Sequence, residues 1–105
     1  MTFSFEKLPD LQLFRNVSSS NTISYRLQEP KFIKEKTQNL VFLHGFNGSS
    51  KSWYYQFTHF DTHKIISIDA PGFGASSVHQ GGIPEFADEV AQLLKHLGIE
   101  AAIIV

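Results

Sequence analysis

Two glycine-rich segments of this chain contain its candidate binding and catalytic residues. The first, at residues 44–53, reads HGFNGSSKSW, and the second, at residues 69–76, reads DAPGFGAS. Each segment directly follows a largely apolar run, at residues 40–43 and 65–68 respectively. Because backbone N–H groups lack partners at the start of a helix, a loop rich in glycine and serine there can direct them at an anion. The first segment is therefore a candidate for binding an anion.

The strands and helices on either side of these loops are predicted from hydrophobic periodicity. The two apolar runs and a third at residues 101–105 are continuous, which is typical of strands covered on both faces of a parallel sheet. Residues 50–60 have aromatic side chains at helical spacing, and residues 83–97 have one apolar stripe with mostly polar residues opposite. Residues 40–105 are thus predicted to fold as strand–helix–strand–helix–strand, a parallel α/β arrangement with two crossover helices.

The second predicted helix has start and stop signals. Pro84 suits its first turn, Glu85 complements the positive N-terminal end, and Gly98 ends it. The acidic residues Asp88 and Glu89 follow Glu85 on the same helix. A cation site there is less favoured than a solvated helix face, so these carboxylates are predicted to be exposed.

Residues 1–39 have a different pattern. Apolar residues alternate along residues 2–14, with an interruption at Pro9, and again along residues 22–27. This alternation predicts two strands that each have one solvent-exposed face and that could form a hairpin. Charged and polar residues 28–39 are predicted to form a surface connection to the rest of the chain.

Composition excludes several classes of function. The chain has 105 residues, nine basic and ten acidic, and a net charge of -1, so it lacks the basic excess of a nucleic-acid-binding surface. It has no cysteine, which excludes a disulfide, a thiolate metal site and a cysteine nucleophile. No stretch resembles a signal peptide or approaches the roughly 20 apolar residues of a membrane span. We therefore expect a cytoplasmic protein with no nucleic-acid partner and no membrane contact.

A metal site is not expected. His59 and His63 are four residues apart, but no glutamate follows His59 as it does in H-E-x-x-H. Surface or loop histidines explain the pair more simply.

A nucleotide-binding P-loop is a further alternative. Residues 45–52 nearly match G-x-x-x-x-G-K-[ST], and Asp69 could pass for a residue that contacts Mg²⁺. The match lacks the glycine before Lys51, where the loop must wrap the phosphates closely. The stretch between Lys51 and Asp69 also has room for only one short helix. Nucleotide binding is therefore the less favoured interpretation.

The two loops together resemble those of the α/β-hydrolase superfamily. HGF at residues 44–46, Trp53, DAPGFGAS at residues 69–76 and an amphipathic helix before a final strand follow the superfamily's order over residues 22–105. The resemblance implies the N-terminal half of an α/β-hydrolase fold, with a mostly parallel sheet, an antiparallel N-terminal hairpin and two crossover helices. Residues 1–105 would then be a partial domain.

The resemblance also implies a role for each matching residue. Phe46 would supply one backbone N–H to the oxyanion hole, and its side chain would face the acyl pocket beside Gly45. One such donor is worth roughly 3–4 kcal/mol in the transition state. His44 would hold the loop rather than act as the catalytic base. The other matching positions would be structural: Trp53, Asp69, Pro71, Gly72, Gly74 and Ser76.

The superfamily's nucleophile is a serine in G-x-S-x-G after the third parallel strand. That motif does not occur in the 105 residues, and GASSV at residues 74–78 lacks its closing glycine. The resemblance implies that intact relatives hydrolyse small esters, lactones or similar substrates by a Ser-His-Asp mechanism without a cofactor. This chain is expected to lack the triad and to be inactive alone. The alternative is a non-catalytic truncated domain that associates with itself or with a partner through its final strand.

Overall fold

The computed structural model describes residues 8–30, 38–44, 57, 63–70, 72–77 and 82–105. Within them, five strands form one mixed sheet and one long helix packs against it. No helix in these residues is long and apolar enough to span a membrane. The elements, in chain order, are β1 (Leu11–Arg15), β2 (Thr22–Gln28), β3 (Asn39–Leu43), β4 (Lys64–Ile68), α1 (Ile83–His96) and β5 (Ile103–Ile104).

The strands lie in the order β1-β2-β4-β3-β5. β1 and β2 form the predicted antiparallel hairpin, and β2 also pairs antiparallel with β4. β3 is parallel to both β4 and β5, with Val41 opposite Ile66 in one ladder and Ile104 in the other. The predicted hairpin and parallel core are confirmed, and α1 is the crossover between β4 and β5. The other predicted crossover helix lies outside the described residues except for Phe57, which is helical and buried.

The core lies on both faces of the sheet. One cluster joins β2, β3 and β4 to α1, and a second includes Phe57 on the opposite face. Alternate residues of β3 enter different clusters, with Val41 in the first and Leu40 and Phe42 in the second. Because both faces are covered, the apolar runs of β3 and β4 are continuous, as predicted.

β5 differs from its neighbours. It is a strand of only two residues, although the pairing with β3 continues through Val105, whose N–H donates to the Val41 carbonyl at 2.8 Å. Ile103, Ile104 and Val105 are 45, 53 and 54% exposed, so the prediction of cover on both faces is wrong for this strand. An apolar run predicts a strand, but it does not specify which segments cover that strand.

Helix α1 begins and ends as its sequence predicts. At its start, the Gly82 N–H donates to Glu85 Oε2 at 2.8 Å. At its end, Gly98 has a φ of 74°, and its N–H donates to the Lys95 carbonyl at 3.1 Å. The Ile99 N–H reaches back to the Leu94 carbonyl at 2.9 Å, which completes a Schellman motif.

Glu89 corrects the prediction of an exposed acidic face on α1. Asp88 is exposed, but Glu89 is only 5% exposed because this part of the helix lies against the turn between β1 and β2. Its carboxylate accepts Asn16 Nδ2 at 3.0 Å and Asn21 Nδ2 at 3.1 Å. The Ser18 N–H donates to Asn16 Oδ1 at 3.1 Å, which fixes the orientation of that amide. Glu89 therefore ties the helix to the hairpin.

We expect Glu89→Gln to lower the free energy of unfolding by about 1–2 kcal/mol. The new amide directs an NH₂ group at one of the two asparagine donors, so one buried hydrogen bond is lost. Urea denaturation measures the change, and Asp88→Asn, on the exposed face, is the matched control with little effect expected. Equal effects of the two substitutions would contradict the conclusion that the buried hydrogen bonds of Glu89 stabilise the contact between the helix and the hairpin.

Candidate functional site

Three strands bring their carboxyl ends to one edge of the sheet. β3, β4 and β5 run parallel, and the Leu43 N–H donates to the Val105 carbonyl at 3.1 Å. His44 follows β3 and Asp69 follows β4, so both predicted loops start at this edge. Ligands of open α/β sheets bind beyond this edge, which makes it the candidate site.

His44 connects the loops that follow β3 and β4. Its Nε2 accepts the Ala70 N–H at 2.9 Å, and its ring lies against the Phe73 ring with a centroid distance of 5.1 Å. The lone pair of Nε2 is therefore engaged with a backbone donor. The contact joins the end of β3 to the segment after β4, and the loop-holding role itself stays a prediction.

Asp69 lies beneath this contact in the interior. Its side chain is 1% exposed, and Oδ2 accepts the Ser24 hydroxyl at 2.6 Å. Its backbone is fixed as well, because its N–H donates to the Ser24 carbonyl at 3.0 Å and its carbonyl accepts the Ser76 hydroxyl at 2.7 Å. The Ser24–Asp69–Ser76 cluster thus joins β2 to the loop after β4.

The hydrogen positions within this cluster follow from counting donors. Ser24 Oγ donates to the Asp69 carboxylate and accepts the Ala75 N–H at 3.0 Å. Ser76 Oγ donates to the Asp69 carbonyl and accepts the Ser24 N–H at 2.9 Å. Each hydroxyl has one hydrogen, so the 3.2 Å approach of the two Oγ atoms has none to share. Ser76 donates to a backbone carbonyl, which cannot activate it as a nucleophile.

Ser24 is a residue that sequence reasoning missed. The alternation of β2 predicts a wet face at this position, yet Ser24 is fully buried because residues 72–77 lie over it. A single serine in an alternating strand has no distinguishing sequence signal. Its partners are found only when the loop after β4 has been placed.

The glycines of this loop allow a close approach to Asp69. Gly72 and Gly74 have φ values of 82° and 54°, a region that glycine adopts without strain. A Cβ on Gly74 would lie 2.3 Å from Asp69 Oδ2. Gly74 is therefore required both for its backbone conformation and for the space that it leaves to the carboxylate.

The remaining predicted positions lie outside the described residues, so their roles stay predictions. They include the P-loop-like residues 45–52 and His59. His63, the other histidine of the rejected metal pair, accepts the Gln38 N–H at its Nδ1 at 3.1 Å. Among the residues that the structure describes, there is no group of three or more acidic or histidine side chains that could hold a metal ion. The undescribed site and motif residues are Gly45, Phe46, Trp53 and Pro71.

Comparison with known protein families gives a match over most of the chain. Residues 38–105 match the family model described as alpha/beta hydrolase fold. Over 90 residues, or 83% of the chain, the sequence is 31% identical to a probable lysophospholipase of Arabidopsis thaliana, BODYGUARD 4. The chain spans 20% of that protein, about a fifth of the length of the curated relatives it matches.

Solved structures share the fold at low sequence identity. The chain superposes on a hydrolase from Pseudomonas aeruginosa with a TM-score of 0.74 and 22% identity, covering 90% of this chain and 35% of that one. It superposes on an epoxide hydrolase from Vigna radiata with a TM-score of 0.75 and 17% identity, covering 97% and 32%. These likenesses concern the architecture of the sheet and its helix.

Proposed function

The chain belongs to the α/β hydrolase fold family, and we propose that it provides the oxyanion-binding part of a hydrolase site for small esters, lactones or similar substrates. The observation that carries the proposal is the hydrogen bond from the Ala70 N–H to His44 Nε2 at the carboxyl edge of the sheet. It anchors the residue that lies two positions before Phe46, the proposed oxyanion donor. Similarity to a probable lysophospholipase, whose name indicates an ester substrate, supports the substrate class.

The proposed chemistry divides between this chain and the residues that complete the site. A serine on the loop after β5 would attack the substrate carbonyl, and a histidine would take its proton and pass it to the leaving group. The Phe46 N–H and the N–H after that serine would stabilise the oxyanion. Because Val105 pairs with Leu43, the two proposed donors would come from neighbouring strand ends.

We propose further that residues 1–105 alone do not hydrolyse esters, since the nucleophile motif does not occur among them. Purified chain incubated with p-nitrophenyl esters is expected to release p-nitrophenol at the rate of the buffer blank. Turnover that persists through purification and is unchanged in Phe46→Pro would contradict both parts of the proposal.

Self-association through β5 is a second candidate function, with another copy of the chain as the partner. It is favoured by the three exposed apolar side chains of residues 103–105 and by the unpaired outer edge of β5 in the described sheet. Size-exclusion chromatography with light scattering is expected to show dimers or larger species, and fewer of them for Ile104→Lys. A monodisperse monomer that unfolds cooperatively would contradict this candidate.

A further inference from the structure

The Asp69–Ala70 peptide group is held at both ends by side chains. Its carbonyl oxygen accepts the Ser76 hydroxyl at 2.7 Å, and its N–H donates to His44 Nε2 at 2.9 Å. The carbonyl and the N–H belong to one planar unit and point in opposite directions from it. A rotation of this unit that misaligned one partner would therefore misalign the other. We call this arrangement the peptide clamp.

The peptide clamp constrains the hydrogen of the His44 ring. An N–H donor directed at Nε2 requires a lone pair on that nitrogen, so a neutral ring carries its hydrogen on Nδ1. The Ser76 hydroxyl on the carbonyl polarises the same peptide group and strengthens its N–H as a donor. The tautomer of His44 is thus linked to the Ser76 hydroxyl through one peptide bond.

Ser76 is itself fixed in the orientation that the clamp needs. It is 7% exposed, and its Oγ accepts the Ser24 N–H at 2.9 Å, which leaves its hydrogen directed at the Asp69 carbonyl. Ser24 in turn holds Asp69 through the carboxylate and the backbone. Hydrogen bonds from Ser24 on strand β2 therefore hold both Ser76 and Asp69 in the positions that the clamp needs.

We propose that Ser76 is a positioning residue for the loop that begins at His44. By orienting the Asp69–Ala70 peptide, its hydroxyl fixes the tautomer and the ring orientation of His44. We expect the amide resonance of Phe46, two residues later in the sequence, to respond to this change. The inference rests on the proposed function only for the role of the Phe46 N–H in catalysis. The clamp and its effect on His44 do not depend on turnover.

Ser77 offers a matched control. Its Oγ accepts the Thr22 N–H at 2.8 Å and donates to the Thr22 carbonyl at 3.3 Å, so it too bonds the backbone of β2. In these contacts it touches neither end of the Asp69–Ala70 peptide. Ser77→Ala therefore removes a neighbouring hydroxyl of the same kind while leaving the clamp in place.

The test is NMR of the ¹⁵N-labelled 105-residue chain, with His44→Gln used to assign His44 among the five histidines. Long-range ¹H–¹⁵N spectra report the tautomer, and scalar coupling between the Ala70 amide nitrogen and His44 Nε2 reports the hydrogen bond. Wild type and Ser77→Ala are expected to show one Nδ1–H tautomer and the coupling. Ser76→Ala is expected to lose the coupling, to gain the Nε2–H tautomer, to shift the Phe46 amide resonance and to exchange the Ala70 amide about tenfold faster.

Several results would overturn the inference. A wild-type His44 with its hydrogen on Nε2 contradicts the clamp, and so does a Ser76→Ala spectrum that matches wild type. An unshifted Phe46 amide in Ser76→Ala contradicts the positioning role. If Ser76→Ala does not fold, Ser76→Cys, with its weaker donor, replaces it and is expected to reduce the coupling. None of these readouts depends on catalysis, so an unchanged kcat in Phe46→Pro would refute the proposed function and leave the clamp standing.

Discussion

Replacing Phe46 by proline is expected to lower kcat for ester hydrolysis by about 10²–10³-fold, measured in protein that contains the nucleophile and the catalytic histidine. Proline has no backbone N–H, so the substitution removes the proposed oxyanion donor. The developing negative charge on the substrate oxygen then loses one of its two hydrogen bonds. Steady-state kinetics on a p-nitrophenyl ester measure the effect, which should fall on kcat more than on KM because the donor acts on the transition state.

Phe46→Leu is the matched control for this prediction. It keeps the N–H and shortens the side chain that is proposed to face the acyl pocket. It is expected to change KM with little loss of kcat. If proline and leucine lowered kcat equally, the backbone N–H would not be the group that matters, and the proposed role of Phe46 would be wrong.

Gly74→Ala is expected to lower the free energy of unfolding by about 3 kcal/mol or more, the sum of a positive φ and a broken buried hydrogen bond. The new methyl group would meet Asp69 Oδ2 at 2.3 Å, so the carboxylate must move. That movement separates it from the Ser24 hydroxyl, which now lies 2.6 Å away. Thermal and urea denaturation measure the loss.

Gly98→Ala separates the cost of a positive φ from the cost of displacing the Asp69 carboxylate. Gly98 also has a positive φ, of 74°, but a Cβ there would meet nothing within 4 Å. Its substitution is expected to cost only the backbone strain of about 1–2 kcal/mol. Equal losses at the two glycines would show that the approach of Gly74 to Asp69 is not what makes that position sensitive.

The strands and the helix that support the site could be predicted because their signals are local. Successive residues of β3 and β4 enter core clusters on opposite faces of the sheet, so both strands are largely apolar. A continuous apolar run of this kind can be recognised directly in the sequence. The sequence predicts both ends of helix α1 to within a residue or two, because Gly98 ends it and Glu85 caps its start. The resemblance implies that His44 holds its loop, but the contact of its ring with the Ala70 N–H is seen only in the structure.

The buried polar contacts could not be predicted, because they join segments that are distant in sequence. Ser24 and Asp69 are 45 residues apart, and Asn16 and Glu89 are 73 apart. In each pair one partner lies on an element whose periodicity predicted exposure, since periodicity describes the faces of an element and not what packs on them. The same reason explains why the exposure of β5 was not predicted. Its apolar residues indicate a strand, but they do not indicate which segments pack on its two faces.

Sequencing the messenger RNA beyond the codon for Val105 tests most directly whether a hydrolase nucleophile follows β5. We predict that the nucleotides after that codon encode Gly-x-Ser-x-Gly in one of the three reading frames, directly after the strand. The absence of such a motif from every frame would contradict the proposal that this chain contributes an oxyanion-binding loop to a serine hydrolase.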